Sequence, residues 1–390
     1  MLRYLIIGDA NSMHIFNYVK NILPQGKFEV SLLTLSTNRV RKEYREYYKD
    51  NNVTLYSIAE NFGGDIPNKT LKQRLLNFIK KYRLAKSLPK FDICHIHSVY
   101  KTSLLFYQWN RKKIKYFIAS YWGGDIEDKS KLLIKLRRKC FRWADVITVT
   151  AQQTLIDFHC IYGDEFDEKL KICRFATAGI ECIKEIFMEK TIDECKEIVG
   201  FSKNKYCITC GYSAYAEQHQ DVMVRQIARL PQEIKDKIFI SVPMQYGKFE
   251  KKYIDDVYSA LKNCGCEYRV LREYSSFKEK AAEAIATDLY LHMRDTDAFS
   301  NSLKEQVYAG TRVVIGNWLK YPELEQMRAN VIWANDFENL PQIIEMCLST
   351  QSRKKVLFDP IYEMYSFESV RKQWNEVIDF VVGVKTKNNE

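Results

Sequence analysis

Two carboxylates eight positions apart have the residue types and the spacing to hold one ligand at two points. Asp297 follows the strand-like run DLYLHM, and Glu305 lies in the helical pattern LKEQVYAG. One is therefore expected on a loop and the other about one turn into a helix. The residues between them bring N-cap hydroxyls and the unpaired amides of a helix start, which stabilise an anion such as a diphosphate. They are Phe299, Ser300, Asn301 and Ser302.

A second loop, Trp122-Gly123-Gly124-Asp125, follows the strand-like run KYFIASY. Paired glycines let the backbone approach a ligand closely, and an aromatic ring covers the apolar face of a sugar. A carboxylate accepts hydrogen bonds from sugar hydroxyls. The pattern favours a sugar contact, although a tight turn with a capping aspartate accounts for the same residues.

A third loop runs from Gly8 to His14 after the first strand-like run and includes Asp9 and Asn11. Only Gly8 matches the G-x-G-x-x-G fingerprint of dinucleotide-binding proteins, which argues against a nicotinamide-dependent dehydrogenase. If the reaction must deprotonate a hydroxyl, the candidate bases are Asp9, His14 and Asp125. Asn11 and Trp122-Gly123-Gly124 are the candidate contacts to a sugar or an acceptor.

Two series of alternating strand-like and helical segments must position these loops. They predict two tandem Rossmann-like α/β domains facing a cleft, with a C-terminal helix docked at the end. Two domains also suit a chain of 390 residues, which is long for a single core. The expected divisions are a first domain over 1–175, a linker over 176–204, a second domain over 205–350, and a C-terminal helix and tail over 351–390.

Charge and cysteine content narrow the setting of the protein. Residues 1–150 hold 28 Lys and Arg against 12 Asp and Glu, whereas the whole chain has a net charge of +11. This asymmetry indicates an anionic partner for the first half, and a broadly spread charge without a recognised module argues against nucleic acid. Eleven cysteines without an evident signal peptide, and no long apolar run, favour a cytoplasmic protein with reduced thiols.

The stretch from Asp297 to Glu305 resembles the E-x7-E region of GT-B glycosyltransferases, with Asp297 in place of the first glutamate. The resemblance implies a donor-binding second domain in which Asp297 contacts the donor sugar, Glu305 binds the ribose of the nucleotide, and residues 299–302 hold the diphosphate. The Trp122-Gly123-Gly124-Asp125 loop resembles the H-G-x-D loop of these enzymes, with Trp122 in place of the histidine. That replacement leaves open whether the configuration of the sugar is retained or inverted.

A narrower resemblance is to the TDP-N-acetylfucosamine:lipid II transferases. It rests on Gly211-Tyr212-Ser213 with His219, and on the VPMQYG run that contains Tyr246 and Gly247. It implies a hexosyltransferase of bacterial surface polysaccharide synthesis, such as lipopolysaccharide or capsule, with a glycan or lipid-linked acceptor.

The donor site departs from the GT-B pattern in its cations. Many GT-B donor sites use an Arg or Lys shortly after the first strand of the second domain, but residues 211–224 contain neither. His219, Lys248 or Arg294 would then have to help neutralise the diphosphate. Asp295 and Asp297 also form a D-x-D pair, which binds a divalent metal in the other glycosyltransferase architecture. Its position in a second domain favours a reaction without a metal or other cofactor.

A lipid-linked acceptor would bring the first domain to the inner face of the cell membrane. The basic helical segment from Lys129 to Trp143 is the candidate contact with anionic lipid. The alternative is that its leucines face the domain core while its cations are merely solvated.

Overall fold

The computed structural model describes residues 1–24, 26–36, 38–61, 70–122, 130–350 and 355–386. For residues 384–386 it describes the backbone only. The chain divides into two compact units. Unit 1 combines residues 1–176 with the C-terminal segment 367–390, and unit 2 is residues 177–366.

Unit 1 is built on a parallel sheet with the strand order β3-β2-β1-β4-β5-β6-β7. Its strands are β1 (Leu2–Ile7), β2 (Phe28–Thr34), β3 (Thr54–Ser57), β4 (Phe91–His97), β5 (Ile114–Tyr121), β6 (Val146–Val149) and β7 (Leu170–Ile172). The helices between them are α1 (Met13–Asn17), which continues as a π-helical turn (Tyr18–Ile22), α2 (Lys42–Asp50), α3 (Ile58–Asn61), α4 (Leu71–Ser87), α5 (Lys101–Asn110), α6 (Lys131–Trp143) and α7 (Gln152–Tyr162).

Both faces of this sheet are covered, because successive residues of a strand point to opposite sides. Leu5 and Ile7 of β1 pack in a core formed with α4, α5, α6 and α7. Tyr4 and Ile6 pack in a second core on the other face, formed with α1, α2 and the C-terminal helix.

Unit 2 contains a second parallel sheet, with the order β10-β9-β8-β11-β12-β13. Its strands are β8 (Tyr206–Cys210), β9 (Ile238–Pro243), β10 (Glu267–Leu271), β11 (Leu289–His292), β12 (Arg312–Gly316) and β13 (Val331–Ala334). Its helices are α8 (Ala178–Glu189), α9 (Ile192–Val199), α10 (Gln220–Ile227), α11 (Gln232–Lys235), α12 (Lys251–Asn263), α13 (Phe277–Ala286), α14 (Asn301–Tyr308), α15 (Pro322–Gln326), α16 (Leu340–Ser349) and α17 (Asp359–Tyr365). Two parallel sheets with helices on both faces confirm the predicted α/β class.

The segment expected to be a linker, 176–204, is largely helical. It carries α8 and α9, whose residues Ile180, Ile183, Cys195 and Val199 are buried in the core of unit 2. Its acidic residues lie on the outer faces of these two helices, which is why the composition of the segment predicted a linker.

The last helix, α18 (Phe367–Thr386), belongs to unit 1 although it follows unit 2 in the chain. Val370, Trp374 and Ile378 are buried against the face of the first sheet that carries Tyr4. Within the described ranges, every helix is either too short or too polar to span a lipid bilayer. All eleven cysteines are free thiols.

Candidate functional site

Three loops of unit 2 meet at the carboxyl edge of its sheet, where parallel α/β sheets bind ligands. They follow the neighbouring strands β9, β8 and β11. The first two loops are joined by a hydrogen bond from the Ala214 amide to the Tyr246 carbonyl oxygen at 2.7 Å. Gln220 ties the ends of both strands together, because its side-chain amide donates to the carbonyl oxygens of Cys210 and Pro243.

The loop after β8 starts at Gly211, which adopts a φ of +63°. A side chain at this position would be strained, and its β-carbon would lie 2.6 Å from Oε1 of Gln218. Ser213 is buried, and its hydroxyl has no hydrogen-bond partner among the described residues. Tyr246 and Gly247 of the neighbouring loop are closer to solvent, with Tyr246 about 41% exposed.

Asp297 is held at the centre of a buried polar network. Its Oδ1 accepts hydrogen bonds from the Tyr212 hydroxyl at 3.0 Å and from Arg294 at 3.3 Å. Its Oδ2 accepts from the Ser300 amide at 2.8 Å and from the Tyr321 hydroxyl at 2.9 Å. The Asp297 side chain is only 3% exposed, and through these hydrogen bonds it positions the loop.

Electrostatics keep Asp297 ionised in spite of its burial. Desolvation opposes the charge, but the hydrogen bond and proximity of His292, the Ser300 amide and Arg294 outweigh it and hold the Asp297 pKa below its usual range. His292 Nε2 lies 2.9 Å from the Tyr321 hydroxyl and 3.4 Å from Oδ2 of Asp297.

Both D-x-D residues are engaged in hydrogen bonds. Asp295 accepts a hydrogen bond from Nε2 of His219 at 2.7 Å, while both oxygens of Asp297 are already occupied by donors. In the described part of the chain, no group of three or more His, Cys, Asp or Glu side chains is arranged to hold a metal ion.

Helix α14 begins immediately after this network. Phe299 adopts a φ of +58°, and its ring packs against Tyr321 and Tyr365. Ser300 caps the helix through Oγ, which accepts from the Leu303 amide, and Asn301 accepts from the Thr177 hydroxyl. The Asn301 and Ser302 amides donate to no acceptor in the described residues, which leaves them available to an anion.

Glu305 projects from the first turns of α14 and forms no hydrogen bond or ion pair with the described residues. Its carboxylate lies against Gly179 at the start of α8. Burial raises the Glu305 pKa to about 7, opposed by the nearby charges of Lys280 and Lys304. An unpaired, partly buried carboxylate can accept a hydrogen bond from a ligand hydroxyl.

The three cations proposed from the sequence are each paired with a carboxylate. Lys248 lies 2.6 Å from Glu250 and is well exposed, His219 bonds Asp295, and Arg294 bonds Asp297. Lys280 was not foreseen from the sequence. It lies near Glu305, with Nζ 4.5 Å from the ring centre of Tyr274 and 6.0 Å from that of Tyr246, and forms no ion pair with the described residues.

Unit 1 contains a cavity of about 390 Å³ at the carboxyl ends of β1, β2 and β4. Its lining includes Asp9, His97, Tyr100, Ser103 and Trp122. A β-carbon at Gly8 would lie 2.1 Å from Cδ1 of the buried Ile15, so a side chain there would displace Ile15. Of the candidate bases, Asp9 lines this cavity.

His97 is the functional candidate that sequence reasoning missed. It ends β4, is 3% exposed, and neither ring nitrogen has a hydrogen-bond partner among the described residues. Burial, and to a lesser extent the nearby charge of His14, lower its pKa to about 3, so the ring is neutral. The ring lines the cavity, but both of its nitrogens are shielded from solvent, so the ring would have to turn to bind a ligand hydroxyl. Its position at the carboxyl end of a strand was the available sequence signal.

The remaining predicted residues of unit 1 have mixed placements. His14 packs against Phe175 and Trp122, with ring centres 4.6 and 5.9 Å apart. The Asn11 side chain holds a neighbouring loop: its amide donates to the Arg39 carbonyl oxygen, and its oxygen accepts from the Arg41 amide. Gly123, Gly124 and Asp125 lie outside the described residues.

Comparison with solved structures identifies the architecture. The chain is similar to HepE from Anabaena, solved with UDP and glucose, with a TM-score of 0.69, 12% identity, and coverage of 97% of this chain and 99% of that one. It is also similar to sucrose-phosphate synthase from Thermosynechococcus elongatus, with a TM-score of 0.72, 10% identity, and coverage of 98% and 100%. Trehalose 6-phosphate synthase from Burkholderia multivorans matches with a TM-score of 0.64, 9% identity, and coverage of 100% and 99%.

No protein-family model matches the chain, and no curated protein matches it. Identities of 12% or less establish the fold alone. The two α/β units match the GT-B fold of these structures over nearly the full chain, as the sequence predicted.

Proposed function

We propose that the protein is a glycosyltransferase that takes a sugar from a nucleoside diphosphate sugar bound to unit 2. The observation that carries the proposal is the meeting of an unpaired carboxylate, Glu305, with the free amides of Asn301 and Ser302 at the carboxyl edge of the sheet. Amides that donate to an anion and a carboxylate that accepts from hydroxyls, about one turn apart on α14, suit a diphosphate joined to a ribose. The structural likeness to HepE, solved with UDP and glucose, supports this assignment.

Bond cleavage places negative charge on the departing nucleoside diphosphate, so preorganised donors must face it. The amides of Asn301 and Ser302 are proposed to receive the diphosphate. Lys280 is proposed as the accompanying cation, because Lys248, His219 and Arg294 each pair with a carboxylate.

Glu305 is proposed to accept hydrogen bonds from the ribose hydroxyls. Since its pKa is about 7, a rising fraction of Glu305 ionises as the pH passes that value, and the ionised form accepts more strongly. Asp297 is proposed to act indirectly: it accepts a hydrogen bond from the Ser300 amide and so fixes the loop that leads into α14.

The reaction is proposed to need no metal ion. In the D-x-D alternative, Asp295 and Asp297 would supply the metal ligands, but the oxygens of Asp297 are filled by the hydrogen bonds described above. The free amides and Lys280 are proposed to supply the electrostatic stabilisation instead.

Unit 1 is proposed to bind the acceptor in its 390 Å³ cavity, with the His97 ring turning to present a nitrogen to a hydroxyl. If the transfer inverts the sugar, Asp9 is the best-placed base of those proposed from the sequence, because it lines the same cavity. A glycan or lipid-linked acceptor of bacterial surface polysaccharide synthesis is proposed, together with a hexosyl donor and an association of unit 1 with an anionic membrane surface. The basic first half supports the last point.

The direct test is release of nucleoside diphosphate from a panel of UDP-, TDP- and GDP-sugars, with and without glycan or lipid-linked acceptors. We expect one donor to be consumed, also in the presence of a chelator, and the Glu305→Gln variant to be inactive. A folded protein that neither binds nor consumes any of these donors would contradict the proposal.

A further inference from the structure

Helix α4 carries a stripe of large apolar side chains on its outer side. Leu71, Leu75, Phe78, Ile79 and Tyr82 are all at least 40% exposed, and Leu71 reaches 83%. They recur at intervals of three and four residues, so they share one face of the helix. Only Asn77, Leu84 and Ala85 of this helix are buried. Asn77 and Leu84 are seven residues apart and lie on the opposite side of the helix, which faces the rest of unit 1.

This stripe has a fixed position on unit 1. The rings of Phe78 and Tyr82 contact Trp109 of α5 edge-on, at centre distances of 5.3 and 5.2 Å. The helix is capped at its start by a capping box of Thr70 and Gln73. An ordered helix with a contiguous apolar face in water indicates an interaction site, because scattered single apolar residues are ordinary but a patch is not.

The charges of α4 are all of one sign. Its 17 residues, LKQRLLNFIKKYRLAKS, include Lys72, Arg74, Lys80, Lys81, Arg83 and Lys86, and they include no Asp or Glu. Lys72, Arg83 and Lys86 are exposed. At 100° per residue these three lie beside the apolar stripe. An apolar stripe bordered by cations is the pattern of a helix that lies in the interface of an anionic bilayer.

The helix that the sequence favoured for this role, α6, has a different surface. Leu133 and Phe141 are buried in the core of unit 1, and Arg137 is 1% exposed with its Nε donating to the Val99 carbonyl oxygen. Arg138 and Arg142 both pair with Glu165. Lys129 lies outside the described residues. Leu132 is the exposed large apolar residue that α6 retains, so its outer face is charged but has no apolar stripe.

We propose that α4 is the surface by which unit 1 docks on an anionic lipid bilayer, with the stripe inserted at the headgroup level and the flanking cations on the lipid phosphates. A second copy of the chain is a poorer occupant, because a symmetric contact through α4 would bring the six cations of each copy against those of the other. Each cation near an anionic surface contributes about 1 kcal/mol, and the stripe adds the burial of its apolar area. The proposal deepens, and rests on, the membrane association proposed above.

Co-sedimentation with vesicles tests the proposal, using phosphatidylcholine alone and phosphatidylcholine with phosphatidylglycerol. We expect the parent to bind only the anionic vesicles, and to bind less at high salt. Leu75→Ser with Ile79→Ser removes part of the stripe, and Lys72→Glu with Arg83→Glu and Lys86→Glu reverses the flank. Each variant should lose at least 10-fold in affinity for the vesicles, while its melting temperature and its affinity for nucleoside diphosphates stay unchanged.

The matched control reverses three exposed cations of α6: Lys131→Glu with Lys135→Glu and Lys139→Glu. It has the same change in net charge and should retain most of the binding. A parent that binds neither vesicle type would remove the membrane association itself. A parent that binds, with α4 variants that bind equally well or lose no more than the α6 control, would overturn the assignment to α4. Self-association of the parent that the stripe variant abolishes, without vesicle binding, would identify a second copy as the occupant and overturn it as well.

Discussion

The carboxylate of Glu305 lies so close to Gly179 that a β-carbon at position 179 would be 2.1 Å from Oε1. Gly179 is in the first turn of α8, and Glu305 is in α14, so the contact joins two helices that are far apart in sequence. Because residue 179 has no side chain, the Glu305 carboxylate has room there. The carboxylate forms no hydrogen bond or ion pair with the described residues.

Gly179→Ala should displace this carboxylate without unfolding the protein. Alanine is preferred over glycine in a helix interior by about 1 kcal/mol, and the three atoms that its β-carbon would meet, Oε1, Cδ and Cγ, all belong to the flexible Glu305 side chain. We therefore expect an unchanged or raised melting temperature and at least a 10-fold loss of nucleoside diphosphate affinity in calorimetry. Combining it with Glu305→Asp, which shortens the acid, should restore part of the binding. Parent-like affinity of Gly179→Ala would show that the position of Glu305 does not matter.

Asp297→Asn should destabilise unit 2, because an amide NH2 in place of either oxygen would face two of the four donors that now surround the carboxylate. The expected loss is about 1–3 kcal/mol at neutral pH. Since the Asp297 pKa is depressed in the folded protein, this stabilisation is present above the unfolded value and is lost as the pH falls through the folded one. The difference between parent and variant should therefore shrink in acid.

Denaturant unfolding at several pH values measures this effect. The control is Asp295→Asn, because Asp295 is a more exposed carboxylate that pairs with His219. A fully stable Asp297→Asn variant that has lost a manganese-dependent activity would favour the D-x-D metal site instead.

The sequence predicted the two-sheet architecture because buried parallel strands and their connecting helices leave periodic apolar patterns that are local. Asp297 and Glu305 could be singled out for the same reason, since their spacing and the helix start between them are local. The partners of Asp297 could not, because Tyr212 and Tyr321 reach it only through the fold of the sheet. The C-terminal helix was recognised, but its return to unit 1 depends on the complementary surface around Tyr18 and Trp374.

His97 should be required for transfer to the acceptor but not for donor binding. His97→Ala is expected to lower the rate of transfer at least 10-fold while the affinity for nucleoside diphosphates stays within a factor of two, because the residue lies in the cavity of unit 1. Its pKa of about 3 also predicts no contribution of His97 to the pH–rate profile between pH 5 and 9. His159→Ala, at an exposed histidine paired with Asp167, is the control. An unchanged rate in His97→Ala would assign the ring to packing alone.

Glu283 should make the protein less stable as the pH rises. It is buried with Oε1 unpartnered among the described residues, and burial raises its pKa to about 7, with Glu305 adding to the shift and Lys280 and Arg269 opposing it. A folded state that holds its proton more tightly than the unfolded state loses stability between the ordinary pKa of 4.5 and about 7. Glu283→Gln keeps the neutral form at every pH.

The variant should therefore be more stable than the parent at pH 8, by on the order of 2 kcal/mol, and closely similar at pH 4.5. Melting temperatures of both proteins across this range provide the measurement. A parent that gains stability from pH 5 to pH 8 relative to Glu283→Gln would reverse the sign and exclude this role for Glu283.

The central claim is that unit 2 binds a nucleoside diphosphate through Glu305 and the start of α14. Titration calorimetry of UDP, TDP, GDP and ADP against the parent, Glu305→Gln and the exposed control Glu233→Gln tests it most directly. We expect at least one nucleotide to bind the parent and the control equally, to bind more weakly below pH 7, and to bind Glu305→Gln at least 10-fold more weakly in a protein with an unchanged melting temperature. Equal affinity of the parent and Glu305→Gln for every nucleotide that binds would contradict the account.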